Sequence, residues 1–158
     1  MAKALVYIET SVISYLSARP SRDLIVAGHQ QVTQDWWERR RGDFHLVASE
    51  LVLEEAAGGD EAAAKARMEA LEGISLLEIT EEARDLARHL LQEGPLPEKA
   101  AGDALHIAVA VTNGVDYLLT WNHKHLANAA TRASIERTCR RNGYEPSILC
   151  TPEDLLED

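Results

Sequence analysis

The chain has 158 residues, 46% hydrophobic and 27% charged, which is the length and composition of one ordinary globular domain. Its formal net charge of −10 excludes a protein that wraps nucleic acid with a continuous basic surface. Its two cysteines, Cys139 and Cys150, are too few for a disulfide framework or a cysteine-rich zinc site. We therefore expect residues 1–158 to form a single domain.

Five short segments have the apolar, partly β-branched or aromatic composition of buried strands, and polar or turn residues bound each of them. In chain order the predicted strands are Ala4–Ile8, Phe44–Ala48, Ser75–Ile79, Tyr117–Thr120 and Ser147–Cys150.

Segments with helical periodicity and capping residues separate these strands. The predicted helices are one from a cap at Ser21 toward Arg40, Glu61–Leu71 after Asp60, one from Thr80 to a stop at Gly94 and Pro95, one from about Glu98 to Asn113, and one from about Leu126 to Arg141. Alternation of strands and helices implies parallel pairing through right-handed crossovers. We therefore predict an α/β fold, a three-layer α/β/α sandwich around a parallel sheet of about five strands. In such sheets, sites lie beyond the carboxyl ends of the strands, where strand order reverses.

Three predicted strands end beside polar groups. Glu9 follows the first strand, and Asn122 follows the fourth. The second strand leads into a helix that carries Glu50, Glu54 and Glu55. Each acid alone has an ordinary alternative role, because an acid in the first turn of a helix complements its dipole by about 0.3–1 kcal/mol.

Asp103 lies in a predicted helix that is apolar almost all round, and His106 is the other polar exception on the same face. A buried carboxylate is costly unless it is paired or coordinates a metal. Asp103 is therefore either a functional carboxylate or one half of a structural pair with His106 or an arginine.

Several carboxylates at one sheet edge would repel each other and raise the pKa of at least one of them, and a divalent cation would remove this repulsion. Oxygen ligands suit Mg²⁺ or Mn²⁺, which serve phosphoryl transfer.

No apolar run approaches the roughly 20 residues that span a bilayer, and Glu9 interrupts the N-terminus before a signal-peptide core could form. We therefore expect a cytoplasmic protein with no membrane segment.

Five segments, in order along nearly the whole chain, match one known family. They are Val6–Leu16, Ser49–Asp60, Gly102–Ala108, Asp116–Leu126 and Ile148–Leu156. In these segments the chain resembles PIN-domain nucleases, specifically the VapC-type toxins of bacterial toxin–antitoxin pairs. The resemblance implies a PIN-like fold and a Mg²⁺- or Mn²⁺-dependent endoribonuclease with an RNA substrate. It also implies a cognate antitoxin as partner and a homodimer.

Carried over by position, the acidic quartet of that family falls on Glu9, Glu55, Asp103 and Asn122, which the resemblance implies are both catalytic residues and metal ligands. Glu9 replaces the usual aspartate, and Asn122 stands where an aspartate is frequent, so the site would hold three carboxylates and an amide. The resemblance also places a hydroxyl beside the metal, at Thr10 or Ser11; a helix cap is an equal alternative for Ser11.

Glu54 competes with Glu55 for the second position of the quartet. The spacing to Gly59 and Asp60 matches the family motif from Glu55, so we choose Glu55.

The segment Leu119–Tyr144 has five basic residues and one acid, whereas residues 50–85 have a net charge of −8. We expect RNA to approach the basic side. Lys124, His123 and His125 follow Asn122 directly, where phosphate contacts and a solvated loop are equally open interpretations.

Two other functions remain open from the residues alone. Receiver or haloacid-dehalogenase-type phosphotransfer domains also carry acids at strand ends, but they need an aspartate nucleophile where this chain has Glu9. A catalytically weak PIN-like module that binds RNA or a protein partner is the second, because Glu9 and Asn122 depart from the usual site.

Overall fold

One parallel sheet of five strands organises the computed structural model, which describes residues 2–94, 96–122, 124–126 and 128–157. The strands are β1 (Ala4–Ile8), β2 (Phe44–Ser49), β3 (Ser75–Leu77), β4 (Tyr117–Leu119) and β5 (Ile148–Cys150). Their order across the sheet is β3-β2-β1-β4-β5, and every pair is parallel. The predicted α/β class and the predicted five-stranded parallel sheet are confirmed.

Helices cover both faces of this sheet. They are α1 (Thr10–Ser17), α2 (Leu24–Arg39), α3 (Glu50–Ala56), α4 (Glu61–Ala70), α5 (Glu81–Gln92), α6 (Ala101–Thr112) and α7 (Ala129–Arg141), with 3₁₀ turns at Arg41–Asp43 and Glu98–Ala100. From β1 through β2 to β3 the chain adds strands toward one edge of the sheet, and it then returns to add β4 and β5 on the other side of β1. Because right-handed crossovers in opposite directions use opposite faces of the sheet, α1–α4 cover one face and α5–α7 the other. Accordingly, α1 packs on α2, α3 and α4, while α5 packs on α6 and α7. This is the predicted three-layer sandwich.

Three helix starts differ from the predictions, and at two of them another side chain supplies the cap. Asp23, rather than Ser21, caps α2, and its Oδ1 accepts from the backbone N–H of Ile25 and Val26 at 3.0 Å. The last helix begins at Ala129 instead of Leu126, because Asn128 accepts from the next turn and caps it.

The starts of α4 and α5 follow the predicted capping signals, whereas the start of α6 does not. Asp60 and Thr80 cap α4 and α5 as predicted, each accepting from a backbone N–H three residues on. The segment predicted as one helix from Glu98 is a 3₁₀ turn followed by α6. Pro95, predicted to help end α5, lies outside the described residues.

The core is centred on β1 and α6. Val6, Tyr7 and Ile8 are fully buried, and α6 is buried from His106 to Val111, which accounts for its apolar sequence. The backbone N–H of Glu9 donates to the carbonyl of Leu119 at 3.0 Å and joins the carboxyl ends of β1 and β4. Strand order reverses at this pair, so the switch point of the sheet lies beside Glu9. In the described part of the chain, no helix is long and apolar enough to cross a membrane.

Candidate active site

Glu9 sits at the switch point, where β1 ends and α1 begins, and is only 6% exposed. Its Oε1 accepts hydrogen bonds from Ser11 Oγ at 2.5 Å and from Thr120 Oγ1 at 2.6 Å. These hydroxyls in turn accept from the backbone N–H groups of Trp121 and Asn122 at 2.8 and 2.9 Å. The Glu9 side chain makes no capping hydrogen bond to α1, so helix capping does not explain it. The loop after β4 instead fixes this carboxylate from one side.

Glu55 approaches Glu9 from α3. Its Oε1 accepts from Thr10 Oγ1 at 2.5 Å and lies 2.7 Å from His106 Nε2. One ligand-type atom from each of Glu9, Glu55 and His106 lies within 4.8 Å of the others. A Cβ built on Gly102 would lie 3.6 Å from Glu55 Oε2, an ordinary contact distance, so this oxygen faces the start of α6.

Glu54, the competing residue, faces elsewhere. With Glu50 and Arg84 it lines a cavity of about 570 Å³ between α3, α5 and the end of β3. Of the two neighbouring glutamates, Glu55 is therefore the one beside Glu9.

The pKa of Glu55 is lowered from its ordinary value. Burial acts to raise it, but the hydrogen bond and charge of His106 and the hydrogen bond from Thr10 together outweigh burial. The expectation that crowding raises carboxyl pKa values therefore has the wrong sign at Glu55. The His106 imidazole therefore stabilises the buried Glu55 carboxylate, a role that we expected a bound cation to have.

His106 is fully buried on α6 and uses both ring nitrogens. Its Nδ1 lies 2.7 Å from the hydroxyl of Tyr7, and that hydroxyl lies 2.7 Å from Ser49 Oγ. Burial raises the pKa of the Tyr7 phenol far above its usual range, so the phenol keeps its proton. A continuous hydrogen-bonded chain thus runs from the end of β2 to Glu55.

Asp103 does not pair with His106, although the sequence offered that pair. Its Oδ2 lies 2.7 Å from His125 Nδ1, and its side chain is 20% exposed. Asp103 lies in the first turn of α6, whereas His106 lies one turn deeper, where Glu55 and Tyr7 occupy its two nitrogens. Asp103 is outside the compact group formed by Glu9, Glu55 and His106.

Asn122 organises the loop between these two regions. Its backbone N–H donates to Thr120, and its side-chain Oδ1 accepts from the backbone N–H of His125 at 3.1 Å. The same loop therefore contacts Glu9 through Thr120 and Asp103 through His125. His123, a suggested phosphate contact, lies outside the described residues.

The structure thus brings Glu9 and Glu55 together and holds Asp103 and Asn122 on the adjoining loop and helix end. Sequence reasoning missed Tyr7, Thr120 and the role of His125 here, and the Asp103–His106 pair that it left open is not formed. Tyr7 carried a signal, because a tyrosine in a central buried strand needs a partner for its hydroxyl.

The donor set suits a hard divalent cation. Among the described residues, Oε2 of Glu9 and Oε2 of Glu55 have no hydrogen-bond partner, while each Oε1 is fixed by its neighbours. Carboxylate oxygens of this kind are the ligands that Mg²⁺ and Mn²⁺ prefer. Glu9 and Glu55 could therefore hold such an ion.

Comparison with known proteins gives one family and a set of structural relatives. The sequence model of the family described as PIN domain matches residues 6–131. The fold is similar to VapBC2 from Rickettsia felis, solved bound to a DNA fragment from its promoter, with a TM-score of 0.55 and 15% identity over 76% of this chain and 89% of that chain. It is also similar to VapC20 of Mycobacterium tuberculosis, a Sarcin-Ricin loop cleaving toxin, with a TM-score of 0.56 and 17% identity over 75% of this chain and 91% of that chain. No curated protein matches the chain by sequence.

Proposed function

Because this chain belongs to the PIN domain family, we propose that it is a Mg²⁺- or Mn²⁺-dependent endoribonuclease, the toxin of a toxin–antitoxin pair. The matched region contains Glu9, Glu55, Asp103 and Asn122. A structural relative that cleaves the Sarcin-Ricin loop supports an RNA substrate, and a relative in a VapBC complex supports a cognate antitoxin. The proposal includes one PIN-like domain over residues 1–158, a homodimer, and action in the cytoplasm.

The observation that carries the proposal is the pair of carboxylates, Glu9 and Glu55, at the switch point of the sheet. In each, one oxygen is fixed by donors and the other has no protein hydrogen bond among the described residues. Because the donors hold both side chains before any ligand arrives, little reorganisation is needed on binding. Glu9, Glu55 and Asp103 would hold the metal, with the Asn122 amide as a weaker fourth ligand.

When bound at such a site, a divalent cation activates a water and stabilises the leaving oxygen of a phosphodiester. The chain's own contribution is positioning. Ser11 and Thr120 orient Glu9, Thr10 and His106 orient Glu55, and His125 orients Asp103. Loss of any of the three carboxylates should therefore remove most of the activity.

A second candidate function is a catalytically weak module that binds RNA or a protein partner. One observation favours it: the Asn122 amide brings no charge, and its oxygen already accepts from the His125 backbone. The two candidates differ in whether metal produces turnover.

The test is cleavage of a structured RNA across a Mn²⁺ titration. We expect Glu9→Gln, Glu55→Gln and Asp103→Asn each to lose more than about 100-fold in rate, because loss of groups that only support metal ligands already costs about 10–100-fold. Glu54→Gln is the matched control, since Glu54 faces the other cavity. Near-wild-type cleavage by folded Asp103→Asn would overturn the mechanism. RNA binding without cleavage by the wild type would favour the second candidate.

A further inference from the structure

Three buried polar residues behind Glu55 form a chain that the proposed function leaves unassigned. Ser49, Tyr7 and His106 are each fully buried, and successive atoms from Ser49 Oγ to Glu55 Oε1 are separated by 2.7 Å. Ser49 heads α3 but makes no capping hydrogen bond, so its hydroxyl serves Tyr7 instead. Buried polar groups persist when each has a partner, and here each has one.

The direction of these hydrogen bonds follows from the end groups. The Glu55 carboxylate carries no proton at neutral pH, so His106 Nε2 must donate to it. When Nε2 carries the only proton of the imidazole, Nδ1 accepts, and the donor within reach is the Tyr7 hydroxyl. The remaining lone pair of Tyr7 then accepts from Ser49, and all three protons point toward Glu55. When the imidazole carries two protons, Nε2 still donates to Glu55.

We propose that Ser49, Tyr7 and His106 form a positioning relay in which His106 acts as an N–H donor to Glu55 and is not a metal ligand. Resting on the proposed function, this inference specifies how the metal site is held. The relay fixes Glu55 Oε1 and leaves Oε2 facing Gly102 at the start of α6. Although His106 Nε2 lies within the compact group of ligand-type atoms, the site then binds its ion through oxygen atoms alone.

The opposite arrangement has an energetic cost. To ligate a metal, His106 Nε2 would need a free lone pair, 2.7 Å from the Glu55 oxygen that it faces. Nδ1 would then donate to Tyr7, and Tyr7 to Ser49, whose own proton would need a new acceptor. The described residues provide no other hydrogen-bond partner for Ser49 Oγ. When the hydrogen bonds all donate toward Glu55, every polar group in the chain has a partner, and the Ser49 proton needs no new acceptor.

The first test reads the proton on His106 and needs neither metal nor activity. In ¹⁵N-labelled wild-type protein with EDTA, we expect long-range ¹H–¹⁵N spectra at neutral pH to show a proton on His106 Nε2. A deprotonated Nε2 would overturn the relay.

The second test uses Mn²⁺ alone, with free Mn²⁺ followed by electron paramagnetic resonance. We expect His106→Leu to weaken binding by about 10–100-fold and Tyr7→Phe by about tenfold. His106→Gln, which keeps an N–H donor, should recover most of the affinity. Tyr117→Phe, which removes a hydroxyl at the start of β4, is the matched control and should bind as the wild type does.

Bound Mn²⁺ also reports its ligands. We expect no strong ¹⁴N hyperfine coupling in the wild type, and a coupling typical of a ligated imidazole would overturn the proposal. Unchanged affinity in folded His106→Leu would do the same. If the wild type binds no Mn²⁺, the proposed function fails while the proton on Nε2 still decides the relay. If His106→Leu does not fold, Tyr7→Phe and the wild-type spectra carry the test.

Discussion

Opposing effects set the charge of the Glu55 carboxyl. Burial favours the protonated acid, whereas His106 and Thr10 stabilise the carboxylate, and their sum lowers the pKa below its ordinary value of 4.5. The Glu55 side chain is therefore a carboxylate at neutral pH.

Glu55 should make the metal-free protein sensitive to acid. A carboxyl with a lowered folded pKa contributes stability above its unfolded pKa and loses that contribution as pH falls through the folded value. We expect the free energy of unfolding of the wild type in EDTA to fall more steeply below about pH 4.5 than that of Glu55→Gln. Urea unfolding between pH 7 and pH 3 measures this, with Glu54→Gln as control. Parallel pH profiles of wild type and Glu55→Gln would contradict the prediction.

Asn122 gives a second test at the level of a single residue. An aspartate can still accept from the His125 backbone, so Asn122→Asp should keep the turn while adding a charge to the site. If Asn122 is the fourth ligand, calorimetry should show tighter Mn²⁺ binding. Unchanged or weaker binding would leave Asn122 with the turn-capping role alone.

Among the secondary-structure elements, α7 and β5 each bury one cysteine. Burial raises the pKa of the Cys139 thiol to about 11 and that of Cys150 to about 12. Both are free thiols in the described structure.

These thiols should report whether α7 and β5 stay docked on the sheet. Since the thiolate is the reactive form, we expect neither cysteine to react with a disulfide reagent at pH 8 in the folded protein, and both to react in urea. Absorbance of the released thiol measures this. Rapid reaction of one equivalent without denaturant would mean that its element opens locally.

The net charge of the whole molecule is −10. Because RNA is also negatively charged, we expect it to dock where basic side chains are exposed. Lys124 is exposed in the turn after Asn122, beside the candidate site. The four arginines of the basic segment lie on α7; Arg132 is half-buried, and Arg140 pairs with Glu145 at 3.1 Å. Lys124 is therefore the exposed basic residue of this segment that directly precedes His125, the partner of Asp103.

Lys124→Glu should accordingly raise KM for RNA more than it lowers kcat, because a phosphate contact binds substrate and transition state alike. It should also reduce the salt dependence of RNA binding. Lys65→Glu, an equal charge change at an exposed position on α4, is the control. Equal effects of the two substitutions on KM would argue that RNA does not approach from the side of Lys124.

The sequence by itself determined the α/β class, the five strands and several helix starts. These features depend on short-range signals. A short apolar segment such as Ala4–Ile8 forms a buried strand whichever strand it pairs with. Asp60 and Thr80 cap the helices that directly follow them. Parallel pairing also followed, because strands that alternate with helices are joined by crossover connections. The strand order, which puts the switch point beside Glu9, came from the structure.

Only the tertiary structure decided which polar groups meet. Ser49 lies 42 positions from Tyr7, and Glu55 lies 51 positions from His106, so helical or strand spacing could not predict either contact. The sequence put Asp103 and His106 on one face of a helix, but the fold gave them different partners, His125 and Glu55. Hydrogen bonds in a buried site go to whichever donor or acceptor the packing brings within about 3 Å, and the packing is a property of the whole chain.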